Sequence, residues 1–133
     1  MEINWLDKAI FLNKTSDKVG FTWKNVEQIY DKIHSEIQEV KEALLQQERH
    51  HRVAEEIGDL MFSVIALACF LKVDPEQAFT GGITKYEKRF RFVLKIFEEK
   101  GISLGNDLST KFLLEVWEEA KARAIKSGAA GED

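Results

Sequence analysis

The chain is predicted to be all-α, a helical bundle of about five helices, and three observations predict it. A single proline in 133 residues leaves long stretches free of a helix breaker. Apolar residues recur every three or four positions, most clearly at Ile29, Ile33, Ile37, Val40 and Leu44. Apolar residues make up 44% of the chain and charged residues 32%, which suits a folded helix-rich protein better than a disordered or β-rich one. The length is that of one domain, expected over residues 1–126, with a flexible Gly/Ala-rich tail at 127–133.

Taken in order, Trp5, Leu6, Ala9, Ile10 and Leu12 give a short first helix that fades near Thr15, Ser16 and Asp17. Val19 to Thr22 reads as a turn. The long apolar stripe places a second helix from about Trp23 to Glu48, and the polar stretch Gln46 to Arg52 is the expected bend. A third helix, from about His51 to Lys72, is amphipathic at first and apolar all round from Leu60 onward. So apolar an element must be covered on every side, and so short a chain has few helices to cover it. An obligate dimer with a shared core is therefore expected. Asp74-Pro75-Glu76 is a helix start, with Asp as N-cap and Pro in the first position. Gly81-Gly82 should interrupt or bend that helix before Ile83 to Lys100 resumes it, and Gly101 should end it. Ser109 is placed to cap a last helix carrying Phe112, Leu113, Val116 and Trp117.

The formal net charge of −4 argues against a general nucleic-acid binder, which needs a basic excess to neutralise phosphates. Cys69 is the lone cysteine, so no intramolecular disulfide forms; a reducing, cytoplasmic setting fits, and the thiol is expected to be a small buried hydrophobe. No signal peptide is visible after Met1, and the longest apolar run, Leu60 to Val73, is too short to span a bilayer comfortably, so no membrane partner is expected.

Chemistry is concentrated in Glu36-Ile37-Gln38-Glu39 and Glu55-Glu56-Ile57-Gly58-Asp59. Carboxylates three apart on a helix lie about 60° from each other and share a face. Glu36 also lies about 40° from Val40 and 60° from Ile33, at the border of the buried stripe. Two such helices packed antiparallel could aim four carboxylates at one spot, where they would stay charged only with cations among them. Hard oxygen ligands favour Mg²⁺ or Mn²⁺. Arg52, Glu56, Asp59 and Ser63 make one polar strip at the mouth of the apolar segment, and Gly58, costly in mid-helix by about 1 kcal/mol, suggests close approach of a neighbour. The three histidines lack zinc spacing. Lys85 and Arg89, four apart, could clamp a polyphosphate, and Trp117 with Lys121 could offer a stacking surface beside a cation.

Together Glu36-x-x-Glu39, Glu55-Glu56-x-Gly58-Asp59, Lys85-x-x-x-Arg89-Phe90 and Trp117-Glu118-Glu119-Ala120-Lys121 resemble the MazG family of nucleoside triphosphate pyrophosphohydrolases. Val19-Gly20-Phe21-x-Trp23 resembles the start of the C-terminal catalytic domain of its two-domain members. The resemblance runs from about residue 5 to residue 125. It implies a dimeric all-α enzyme that uses Mg²⁺ to split NTPs into NMP and pyrophosphate, and stacking of the base on Trp117, indifferent to base identity, fits a broad base range. By motif position Glu36, Glu39, Glu56 and Asp59 would hold metal, and Arg52, Lys85, Arg89, Trp117 and Lys121 would contact nucleotide. Glu39 or Glu56 would orient the attacking water. Ser35 stands where many members carry a further glutamate. A catalytically silent nucleotide-binding dimer and a stricter dUTP or dCTP pyrophosphatase are the alternatives.

Overall fold

The computed structural model describes residues 2–46, 50–103, 105 and 107–129, and its regular elements are five α-helices with no strand among the described residues. α1 is Trp5–Lys18, α2 Val26–Leu45, α3 His50–Phe70, α4 Pro75–Glu99 and α5 Thr110–Ala129. No helix here is long and apolar enough to cross a membrane.

Local chemistry sets the boundaries. The Asn4 side chain accepts the Asp7 N–H at 3.1 Å and starts α1. That helix outruns the expected fade at Thr15–Asp17, because its polar last turn is closed by Val19, Gly20 and Phe21 N–H groups donating to Thr15, Asp17 and Ser16 carbonyls. Asn25 accepts the Gln28 N–H at 3.0 Å, so α2 begins after this cap and not at Trp23. It ends at Leu45, with Gln46 as C-cap; residues 47–49 of the expected helix end and bend lie outside the described residues. Asp74 accepts the Glu76 N–H at 2.9 Å and Pro75 opens α4, as the sequence suggests. Gly81 and Gly82 do not break α4, which runs through them without interruption. Ser109 accepts the Phe112 N–H at 3.1 Å and caps α5. α5 extends to Ala129, so 127–129 of the expected tail are helical, and 130–133 lie outside the described residues.

The chain divides into two compact units, Met1–Ala78 and Phe79–Asp133, with the division inside α4. In the first, α3 packs against both α2 and α1, and Ile29, Ala43 and Ala66 are buried. Only Ile29 of the five-residue apolar stripe is fully buried; Ile37 and Leu44 are exposed, Leu44 by 61%. α3 likewise exposes Ile57, Met61, Phe62 and Val64. In the second unit, Ile96 of α4 is buried with Val116 and Ala120 of α5, and Phe92, Val93, Phe97 and Phe112 close around them.

Candidate functional site

α2 and α3 of the first unit bring three carboxylates together. Glu36, Glu56 and Asp59 each offer an oxygen, and these atoms lie within 4.8 Å of one another. Glu36 and Glu56 are only 5% and 4% exposed, while Asp59 is exposed. The burial follows from register: Glu36 lies seven residues, or two turns, from both Ile29 and Ala43, so it continues the one row of α2 that faces inward. Glu56 and Ser63 stand in the same relation on α3. Ser63 donates from Oγ to the Asp59 carbonyl at 3.0 Å, so its hydroxyl serves the main chain.

Glu39 is exposed and does not belong to the group of three. Glu55, also exposed, pairs with Arg52 at 3.2 Å. No atom lies within 4 Å of where a Cβ on Gly58 would stand, so the close neighbour its sequence position suggests is not supplied by the described residues of this chain.

Two cations answer the buried charges, each four residues ahead of its partner. Lys32 Nζ is 2.7 Å from Glu36 Oε1, and Arg52 Nη2 is 2.9 Å from Glu56 Oε1. Burial pushes the Glu56 carboxyl above the usual carboxylate range; Arg52 opposes this, and Glu39, Asp59 and Glu36 reinforce it. The hydrogen bond to Glu36 holds the Lys32 ammonium above its ordinary value against the effect of burial, with help from the charges of Asp59 and Glu39. Three converging carboxylates with two of them buried form an all-oxygen donor set of excess negative charge, which suits a hard divalent cation. Lys32 escaped the sequence reading because Lys-x-x-x-Glu is ordinary on exposed helix faces.

In the second unit, the Arg89 guanidinium lies 5.7 Å over the ring of half-buried Trp117, and Tyr86 approaches the same indole at 5.5 Å with the rings tilted by 37°. Tyr86, which the sequence reading did not single out, also stacks on Phe90 at 6.1 Å. Lys85 is exposed. Lys121 is turned to Glu118, 2.8 Å away. Cys69 is half-buried, and burial pushes its thiol up, which suits an inert residue. A cavity of about 760 Å³ in the first unit is lined by α1, the end of α3 and the start of α4, and by none of the three converging carboxylates.

Residues 24–94 match the family described as MazG nucleotide pyrophosphohydrolase domain. The chain is 39% identical over 116 residues to a Thermotoga maritima nucleoside triphosphate pyrophosphohydrolase/pyrophosphatase MazG, an alignment covering 87% of this chain and 44% of that protein. It is 34% identical over 125 residues to an Escherichia coli nucleoside triphosphate pyrophosphohydrolase, covering 90% and 46%. A Bacillus subtilis protein named uncharacterized protein YabN is 34% identical over 77 residues, or 58% of this chain and 16% of that one. The chain thus spans less than half the length of each of these relatives.

Proposed function

This chain belongs to the MazG nucleotide pyrophosphohydrolase domain family, and from that premise we propose that it hydrolyses nucleoside triphosphates to the monophosphate and pyrophosphate. The observation that carries the reading is the convergence of Glu36, Glu56 and Asp59, two of them buried, within 4.8 Å. These three and Glu39 are proposed to hold Mg²⁺ or Mn²⁺. Such an ion, when bound, supplies neutralisation of the triphosphate and a lowered pKa for an attacking water.

The protein's own groups do the rest. Glu56, buried beside Glu36 and Asp59, is proposed to orient a water at the α-phosphorus and accept its proton. Glu39, exposed on the same helix as Glu36, is the alternative for that role. Arg52 is proposed to bind phosphate oxygens, and Lys85, Arg89 and Lys121 to contact nucleotide and leaving pyrophosphate. Stacking of the base on Trp117 is indifferent to base identity, so a broad range of NTPs and dNTPs is proposed. We further propose a cytoplasmic homodimer, supported by the exposed apolar residues of α2 and α3 and by the presence of a single cysteine.

The test is product analysis by ion-exchange chromatography for each common NTP and dNTP, with and without Mg²⁺, beside Glu56→Ala. NMP and pyrophosphate that depend on both metal and Glu56 are expected. NDP and phosphate would mean a different scissile bond. No turnover, with Mg²⁺ still raising Tm, would replace the enzyme with a nucleotide-binding module.

A further inference from the structure

Lys32 is the cation closest to the converging carboxylates, and no motif assigned it a role. Its Nζ is 2.7 Å from Glu36 Oε1, and while the Glu36 side chain is 6% exposed, that of Lys32 is 47% exposed. A half-exposed lysine thus neutralises a buried charge. Asp59 and Glu39 act on it electrostatically as well, so it sits in the field of the whole acidic group and not of one residue. Arg52 is differently placed, tied to both Glu55 and Glu56 by a fixed guanidinium fork.

We infer that Lys32 is an exchangeable counter-ion: it holds Glu36 while the carboxylate centre carries no metal, and transfers to a phosphate oxygen of the nucleotide when a divalent ion takes that carboxylate. The inference rests on the metal reading of Glu36, Glu56 and Asp59. Its physical basis is like-charge repulsion. An ammonium in hydrogen-bonding contact with a carboxylate that also ligates a divalent cation would lie within a few ångströms of that cation. A half-exposed four-carbon stem can swing its ammonium away at little cost, while Arg52 keeps Glu55 as a partner when Glu56 is taken. A triphosphate arriving with the metal brings the negative charge that gives the displaced ammonium a new partner.

The exchange predicts effects of opposite sign from one substitution. In Lys32→Met, Mn²⁺ titrated calorimetrically at about pH 8 without nucleotide should bind roughly three- to tenfold more tightly, because a competing positive charge is gone. With Mn²⁺ saturating, the non-hydrolysable α,β-methylene ATP should bind about tenfold more weakly, because a charge-assisted phosphate contact is lost. Lys32→Arg keeps the competing charge, so Mn²⁺ binding without nucleotide should stay within about twofold of wild type. Lys32→Gln, helix-compatible and polar, serves in place of Met should that variant fail to fold. A Lys32→Met protein that binds Mn²⁺ no better than wild type, or binds the analogue equally well, overturns the exchange and leaves the metal reading standing. A wild type that takes up no divalent ion overturns the metal reading, and the exchange with it.

Discussion

Lys72 occupies a backbone position that glycine holds twice elsewhere in the same chain. Among the described residues three helices end in one motif, in which the third residue past the helix donates to a carbonyl five residues back: Phe21 to Ser16, Val73 to Ala68 and Ile102 to Phe97. The residue before each donor is left-handed, with φ of 87° at Gly20, 61° at Lys72 and 67° at Gly101. A side chain at such a φ costs about 1 kcal/mol that glycine does not incur. Lys72→Gly should therefore raise stability by about 1 kcal/mol, read from chemical denaturation. Glu56 belongs to the same scale. Glu56→Gln keeps the shape and removes the charge, and turnover should fall by roughly 100-fold or more if this group handles the water's proton. A fall of only a few-fold would remove it from that role. Glu36, Glu56 and Asp59 were legible as one group because their spacing sets helix faces and Glu36 borders an apolar row. Lys32 and Tyr86 were not, because what matters in each is a contact, and a single cation or ring at helical spacing has too many ordinary uses.

α4 and α5 are fastened by apolar packing and by one ionic clasp. Arg123 donates to both Glu99 oxygens, at 3.2 and 2.8 Å, and to Glu119 at 2.9 Å. The hydrogen bond from Arg123 holds the Glu99 carboxyl below its ordinary value, with burial opposing. A carboxyl with a lower pKa folded than unfolded binds its proton more tightly in the unfolded chain. Its contribution is complete above the unfolded value and is lost as pH falls through the folded one. Between about pH 5 and pH 3 wild type should lose stability more steeply than Glu99→Gln, and equal slopes would show that the clasp contributes nothing. Ile96 is fully buried at the centre of this packing, so Ile96→Ala should cost about 2–5 kcal/mol. The helices themselves were readable from period and cap, Ser109 and Asp74 included. At the end of α1 and the start of α2, where the reading erred, local hydrogen bonds set the boundary against propensity, as Asn25 delays α2 and main-chain bonds carry α1 past its polar turn; the uninterrupted α4 and the helical 127–129 are further departures.

Over the whole molecule, apolar surface exceeds what the chain covers. Ile57, Met61 and Val64 recur at helical spacing on α3 and are all exposed, Met61 by 62%, and Ile37 and Leu44 are exposed on α2. Under the proposed dimer, light scattering should give twice the 15.3 kDa of one chain, and Met61→Glu should return it to one chain's mass. A wild type that is monomeric at micromolar concentration would rule the dimer out. The all-round apolar pattern of α3 made this visible in sequence; the division into two units did not show there, because it falls inside a continuous helix. That helix carries Gly81 and Gly82 side by side, and among the described residues nothing beyond the adjoining turns of the helix backbone lies within 4 Å of where a Cβ on either would stand. Each glycine costs its helix about 1 kcal/mol relative to alanine with no packing to show for it. Amide hydrogens around residues 81–85 should accordingly exchange with deuterium sooner than those one or two turns to either side, and a Gly81→Ala, Gly82→Ala double variant should slow them, making this stretch of α4 the place where the helix first lets solvent in.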